Sequence, residues 1–397
     1  MKSNYRKIGD FIQLVDERNK DLKVTKLLGL SISKQFIPSV ANIIGTNMAN
    51  YKIIRKNQFA CSTMQVRRDK KMPIALLKDF EEAIISQAYP VFEVVDETFL
   101  NPEYLMMWFS RSEFDRHACF LAVGGVRGSL EWEDFLEMPI PVPSIEKQRE
   151  IVAEYNSIVN RITLNETLNQ KLEDTAQALY KHWFVDFEFP NENGKPYKSS
   201  GGEMVYNAEL DMEIPLGWES ENLGEVSIIT AGGDKPNIFS ENGNSRCKIP
   251  IYSNSMVNEG LFGFTNEAKI TKKSITISAR GGIGYTVLRT KPFVPIVRLI
   301  VVTPKFEYLL NYIFHCALRF EYNDVGSAQK QLTIPGISEY KVIQPNSELL
   351  KQFQSTSKDL FHFKMIKKKE IEKLTKLKDL ILSKMSKVET KTVVVTN

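Results

Sequence analysis

The residues best able to carry nucleophilic or metal chemistry are four cysteines (Cys61, Cys119, Cys247, Cys316) and four histidines (His117, His182, His315, His362). They are dispersed and include no Cys-x-x-Cys pair, so their spacing predicts neither a zinc site nor a disulfide framework. His315-Cys316 is the one adjacent pair, but neighbouring side chains point different ways, and the preceding run Leu309-Leu310-Asn311-Tyr312-Ile313-Phe314 marks it as buried core. A metal-dependent nuclease needs clustered carboxylates and a lysine; Asp79, Glu81 and Glu82 approximate that cluster only along the chain and read as a solvated helix or turn. A DNA methyltransferase needs a glycine-rich cofactor turn and an Asn/Asp-Pro-Pro-aromatic loop for a flipped base. Asn101-Pro102-Glu103-Tyr104 has Glu where the second proline belongs and opens a helical pattern, and Gly124-Gly125-Val126-Arg127-Gly128 is not followed by an apolar helix. No catalytic, metal or cofactor site is expected.

The elements around these residues point elsewhere. A chain of 397 residues exceeds the size at which one core usually keeps growing, and 43% hydrophobic with 25% charged residues is an ordinary globular composition. No run approaches the roughly 18 to 20 apolar residues of a membrane span, and the opening Met1-Lys2-Ser3-Asn4-Tyr5 has no apolar stretch of a secretory signal. The expected location is the cytoplasm, with no membrane partner.

The sequence repeats itself. Gly124, Leu130, Phe135, Ile140 and Pro143 are matched by Gly326, Leu332, Ile337, Val342 and Pro345 at an offset of 202. Glu103-Tyr104-Leu105 recurs as Glu307-Tyr308-Leu309 at 204, Phe59-Ala60-Cys61-Ser62 as Ile275-Thr276-Ile277-Ser278 at 216, and Ile8-Gly9-Asp10-Phe11 as Leu223-Gly224-Glu225-Val226 at 215. Matches in common order with slowly drifting offsets are what loop insertions between two copies of one fold produce. Stretches such as Ser274–Ser278 and Pro295–Val302 read as strands, and Glu103–Phe109 and Tyr308–Phe320 as helices, which makes each copy a mixed α+β domain.

A different kind of sequence follows each copy. After the cap Ser144, the residues Ile151, Tyr155, Ile158, Ile162, Asn165, Asn169, Leu172, Ala176, Leu179 and Trp183 alternate in steps of four and three, with no Gly or Pro before Pro190. After the cap Asn346, a more broken seam carries Phe353, Leu360, Ile371, Leu374, Ile381 and Met385. About 40 helical residues span some 60 Å, more than one small domain needs; two such helices bury their seams best against each other, antiparallel. The segment Asn191–Gly202 has almost nothing to bury and reads as an interdomain linker.

Positive charge concentrates at equivalent places in the two copies. Between Tyr51 and Lys78, Lys52, Arg55, Lys56, Arg67, Arg68, Lys70, Lys71 and Lys78 stand against the single acid Asp69. Between Lys269 and Arg298, Lys269, Lys272, Lys273, Arg280, Arg289, Lys291 and Arg298 stand against none. A polyanion bound twice by one face explains the recurrence, since phosphate neutralisation supplies most non-specific DNA affinity. Gln65, Arg67, Arg68, Arg280, Gln329, Lys330 and Gln331 add side chains suited to base edges or phosphates. Gly281-Gly282-Ile283-Gly284 suits either a backbone approach to phosphate or a hairpin turn. The run Lys364, Lys367-Lys368-Lys369, Lys373, Lys376, Lys378, Lys384, Lys387 reads as the wet face of the second helix.

Met138-Pro139-Ile140-Pro141-Val142-Pro143-Ser144-Ile145-Glu146-Lys147-Gln148-Arg149-Glu150-Ile151-Val152 resembles the start of the central helix in specificity subunits of type I restriction-modification systems. Ile214-Pro215-Leu216-Gly217-Trp218-Glu219 with Leu223-Gly224-Glu225 is similar to that family's start of a second recognition domain, and the resemblance covers essentially the whole chain. Ile343-Gln344-Pro345-Asn346-Ser347-Glu348 departs from it by losing the fuller proline-rich form.

The resemblance implies an α+β protein: two tandem target-recognition domains (1–143 and 215–345) separated by two long antiparallel coiled-coil helices (144–190 and 346–388), a pseudo-twofold repeat with a linker at 191–214 and a tail at 389–397. It further implies that each domain reads half of a split double-stranded DNA target. The helices would set the gap and dock two methyltransferase subunits that bind S-adenosylmethionine, with a nuclease/translocase subunit as a further partner. The competing readings are a stand-alone or fused methyltransferase or nuclease, and a coiled-coil scaffold.

Overall fold

A computed structural model describes residues 5–39, 46–124, 128–322 and 331–387. The chain is mixed α/β with two long helices, Ile145–Phe184 and Ser347–Lys384. It divides into two compact units, one of residues 1–166 with 369–397, the other of residues 167–368.

The first unit is built on a four-stranded antiparallel sheet in the order Ile12–Val15, Val91–Val94, Phe59–Cys61, Ile74–Leu76. Its first strand, Tyr5–Lys7, pairs with Pro139–Pro141, the strand that leads into the long helix. Phe59–Cys61 and Ile74–Leu76 are buried throughout, whereas Ile12–Val15 leaves Gln13 and Leu14 exposed. Phe59, Phe92, Phe109 and Phe135 are fully buried, with Phe59 stacked on Phe92 at 5.0 Å and Phe109 edge-on to Phe59 at 5.9 Å. Removing one such ring costs on the order of 3–5 kcal/mol.

The second unit has the same plan. Ser227–Ala231, Ile300–Pro304, Ser274–Ile277 and Thr286–Arg289 form a four-stranded antiparallel sheet in the corresponding order, and Glu219–Asn222 pairs with Lys341–Gln344 ahead of the second long helix. The registers correspond as well. Arg6 faces Ile140 as Glu221 faces Val342, displacements of 215 and 202; Phe59 faces Phe92 as Ile275 faces Val302, displacements of 216 and 210. A Cβ on Gly9 would sit 2.9 Å from Leu136 Cβ, and one on Gly224 would sit 3.0 Å from Ser338 Cβ. The two glycines, 215 apart, let the chain pass the short helices Trp132–Glu137 and Ile334–Ser338 at contact distance.

Within each unit the two long helices run antiparallel. In the first, Ile151, Tyr155, Ile158 and Ile162 share a core with Leu374, Ile381, Leu382 and Met385, and Arg161 pairs with Glu370 at 2.7 Å. In the second, Tyr180, Trp183 and Phe184 pack on Leu350, Phe353 and Phe361, and Glu173 pairs with Lys364.

Three expectations change. The first helix stops at Phe184, short of 190, because Phe187 takes a left-handed turn (φ 58°) that brings Phe187 and Phe189 onto Trp218. The stretch 191–202 is an ordered knot rather than a slack linker: Tyr197 stacks on Phe189 at 4.6 Å, its hydroxyl donates to the Glu203 carbonyl at 2.8 Å, and Gly202 leaves room for its ring. Pro295–Val302 is not one strand, since Val297 and Arg298 adopt φ of 53° and 59° and the next strand starts at Ile300. The expected Gly326 match, the run 125–127, Gln329, Lys330 and the tail 389–397 fall outside the described residues.

Candidate nucleic-acid interface

In each unit the connection between the third and fourth strands of the sheet order carries arginine. In the first unit it joins Phe59–Cys61 to Ile74–Leu76 and holds a single helical turn, Val66–Asp69, bracketed by left-handed Gln65 (φ 62°) and Lys70 (φ 52°). In the second it joins Ser274–Ile277 to Thr286–Arg289 through left-handed Gly281 (φ 68°) and Gly284 (φ 82°), so Gly281-Gly282-Ile283-Gly284 is the connection of a hairpin. Gln65 and Gly281 occupy corresponding positions, 216 apart. Both connections lie against corresponding segments: Leu130 N donates to Thr63 O at 2.9 Å, and Leu332 N to Ala279 O at 3.1 Å. An arginine crosses to that segment in each, Arg67 Nη1 donating to Gly124 O at 3.2 Å and Arg280 donating twice to Gln331 Oε1 at 2.7 and 3.0 Å.

The side chains selected from sequence separate into three groups. Arg67, Lys70, Lys71 and Lys272 are exposed, and among the described residues none of the four forms an ion pair; Gln65, Arg280 and Gln331 are half-buried at the connections. A second group is compensated across space. Arg55 meets Glu17 at 2.7 Å and Glu82 at 2.8 Å, Lys56 meets Glu81 at 2.6 Å, Lys52 meets Asp16 at 3.5 Å, Arg68 meets its neighbour Asp69 at 2.7 Å, and Lys273 meets Glu307. The cationic stretch 51–78 is therefore less positive in the fold than along the chain. Asp79 is exposed, and Glu81 and Glu82 serve these pairs rather than a metal.

Arg289 forms the third group: it pairs with Glu259 at 3.6 Å from inside the fold, which corrects the sequence reading. Its side chain is only 5% exposed and lies 3.6 Å over the Tyr252 ring, donating to Thr276 Oγ1 at 3.0 Å and to the Glu259 carbonyl at 2.5 Å. Burial holds its pKa below the usual arginine value against the opposing pull of Tyr252 and Glu259. It is an internal clamp on the turn at Asn258 and Glu259, both left-handed, and not an exposed DNA ligand.

Sequence reasoning passed over the residue that ties the second unit's loops together. Asn254 donates through Nδ2 to Val297 O at 2.6 Å, accepts at Oδ1 from Ala279 N at 2.8 Å, and its carbonyl accepts from Ser278 Oγ at 3.3 Å. Three connections thereby converge around Arg280 and exposed Arg298. A left-handed β-branched residue such as Val297 is strained, and strain held by surrounding hydrogen bonds gathers at functional sites. The cluster Ser253-Asn254-Ser255 was a turn signal in the sequence; Val297 gave none.

The buried chemistry is structural. Asn101 caps helix Pro102–Phe109 by accepting from Tyr104 N at 3.0 Å, so Asn101-Pro102-Glu103-Tyr104 is a helix start. His315 and Cys316 are buried, the imidazole stacked on Tyr180 at 5.2 Å with Nε2 unpartnered among the described residues. Burial depresses the His315 pKa to about 4, against an opposing pull from Glu173, and raises the Cys316 thiol to about 11. Among the described residues no three His, Cys, Asp or Glu side chains gather to hold a metal.

Both units carry an arginine-bearing loop on the same connection of a like-ordered sheet. The model of the type I restriction modification DNA specificity domain family matches residues 2–174 and again 215–376, and the chain belongs to that family. It is 28% identical over 305 residues to the MjaIX type I restriction enzyme specificity subunit of Methanocaldococcus jannaschii, spanning 71% of this chain and 68% of the relative. It is 22% identical over 402 residues to the HindI specificity subunit of Haemophilus influenzae, spanning 84% and 86%. The crystal structure of a type I restriction-modification S subunit from M. genitalium covers 96% of this chain and 95% of its own with a TM-score of 0.62; at 17% identity that likeness is one of fold. The chain's role in a type I system is sequence-specific DNA recognition, without catalysis of its own.

Proposed function

We propose that residues 1–143 and 215–345 are tandem α+β target-recognition domains, each reading one half of a bipartite double-stranded DNA target. The observation that carries this reading is the recurrence of an arginine-bearing connection at the same register of the same sheet in both units. Arg67, Lys70, Lys71, Lys272, Arg280 and Gln331 are the side chains this reading places on DNA, with Gln65 beside them and Arg289 withdrawn. Uncompensated cations neutralise phosphates and register the protein on the duplex; arginine and glutamine at the connections suit guanine and adenine edges. Lys52, Arg55, Lys56, Arg68 and Lys273 reach DNA only by giving up their carboxylates.

The two long helices form a pseudo-twofold antiparallel spacer that sets the distance between half-sites and docks two methyltransferase subunits, with a nuclease/translocase subunit joining that complex in the cytoplasm. Supporting this are apolar side chains left outside the seam: Leu164 and Leu168 on the first helix, Phe363, Ile366, Leu377 and Leu380 on the second. Exposed apolar rows on paired helices are what a partner covers. Among the described residues no helix is long and apolar enough to cross a membrane.

The test is an exchange. Replacing residues 1–143 or 215–345 by the equivalent segment of another specificity subunit, then mapping adenine methylation across a genome, should change one half of the motif at a time. An exchange that alters neither half refutes the reading. Methylation of DNA by the purified chain alone would refute its lack of catalysis.

A further inference from the structure

Near each arginine-bearing loop stands a group of apolar side chains that the described residues leave exposed. In the first unit, helix Ser112–Leu121 buries Phe114 and Ala118 but leaves Phe120 81% exposed, and three residues on Val123 is exposed next to Gly124, whose carbonyl accepts from Arg67. In the second, Met256 and Val257 are exposed, Val257 by 72%, as is strained Val297. A Cβ on Gly282 would lie 2.4 Å from Met256 Sδ, so the methionine rests on the glycine face of the Arg280 hairpin. The turn that presents Met256 and Val257 is locked from behind by Arg289 on the Glu259 carbonyl, and from the side by Asn254 on Val297.

Scattered exposed apolar residues need no explanation. These differ by their setting: Arg67 reaches Gly124 beside Val123, and the Arg280 hairpin carries Met256 on Gly282, with Glu259 of the same turn answered by Arg289 and Lys368, whereas Phe99, 67% exposed, sits in the acidic turn Asp96-Glu97-Thr98. An apolar tip framed by cations is complementary to a duplex groove, whose rims are phosphate and whose floor is base edges. On the major-groove floor the one apolar group is the thymine 5-methyl.

We infer that Phe120, with Val123, and Met256, with Val257, are specificity-determining tips that pack on thymine methyls, one tip for each half of the target. The inference rests on the proposed DNA interface and names which base feature it reads.

The experiment uses the full chain in complex with methyltransferase subunits and the target found by methylation mapping. Phe120→Ser and Met256→Ser, both surface changes, are each expected to lower the ratio of target to unrelated-duplex affinity on the order of tenfold. Each loss is confined to its own half, and the salt dependence is unchanged. Uracil for thymine in the affected half should reproduce the loss in the unsubstituted protein and add nothing to the variant; Phe99→Ser should change nothing. A Phe120→Ser complex with undiminished discrimination overturns the inference, as does a loss that uracil fails to mimic, which would mean insertion between base steps instead. If exchange of residues 1–143 also leaves the first half unchanged, the interface itself has failed; if the exchange works and Phe120→Ser is silent, only the tip has.

Discussion

His315 gives the second unit a pH dependence that can be worked out in advance. The imidazole is 1% exposed, stacked on Tyr180 and within the aromatic packing of Phe314, Phe353 and Phe361, with Nε2 unpartnered among the described residues. Desolvation brings its folded pKa to about 4 from an ordinary 6.5; Glu173 on the first helix opposes the shift and Lys364 on the second reinforces it. Because the folded state prefers the neutral ring, stability is fully present above pH 6.5 and falls as pH drops through 6.5 toward 4. At pH 5 the unfolded ring sits a unit and a half below its pKa while the folded ring remains neutral. At roughly 1.4 kcal/mol per unit the second unit should lose about 2 kcal/mol between pH 7.5 and pH 5. Burial pushes the Glu173 pKa up, but its hydrogen bonds and the Lys364 charge together bring it below the ordinary value, so its loss of stability toward pH 5 has the same sign as that of His315. His315→Phe keeps an aromatic ring in the box and removes the titration. Two compact units make a single melting temperature ambiguous. The suitable assay is urea unfolding at each pH with a deuterium pulse at one fixed pH, read on the peptide covering Leu310–Arg319. The His315→Phe profile should be flatter by about 2 kcal/mol; parallel profiles for the two proteins would refute the reasoning.

Other outcomes follow from the same side chains. Lys70→Gln with Lys71→Gln should weaken binding of every duplex sequence alike and lower the slope of log affinity against log salt by about 0.9 for each phosphate the lysines cease to neutralise; a change confined to one target sequence would contradict a phosphate role. Asn254→Ala strands the Ala279 N–H and frees Val297. It should cost roughly 1–3 kcal/mol of stability and loosen discrimination in the second half-site, seen by methylation mapping. Gly9→Val and Gly224→Val force a side chain onto Leu136 and Ser338 and should each destabilise its own unit by about 1–3 kcal/mol, resolved by hydrogen exchange. Arg289→Met should destabilise the second unit while leaving the salt dependence of DNA binding as it was; a reduced slope would return Arg289 to the DNA.

What the sequence determined was whatever depends on local pattern or order along the chain. The drifting offsets of 215 and 202 recur in the ladders, where Arg6 faces Ile140 and Glu221 faces Val342, pairings that the sequence did not indicate. The four-three spacing from Ile151 to Trp183 foretold a helix, because a buried seam requires that period whatever covers it. The His315-Cys316 pair was legible as core from its apolar neighbours. Charge was not legible in the same way. Arg55 and Lys56 are answered by Glu82 and Glu81, which the pairing of strands Lys52–Arg55 and Glu82–Ile85 brings near, and by Glu17, which the hydrogen bond from Ile53 N to its carbonyl brings alongside. Arg289 counted as a surface cation until the turn at Asn258 closed over it. The break at Val297 hid within a β-branched run because what holds that strained conformation is distant in sequence: the carbonyls of Gly232, Gly233 and Tyr252 accept from Arg298, Val297 and Ile296 N–H, and Asn254 donates to Val297 O. Composition records which groups a chain carries; packing alone decides which carboxylate or aromatic ring takes up each cation, and so which cations are left for DNA.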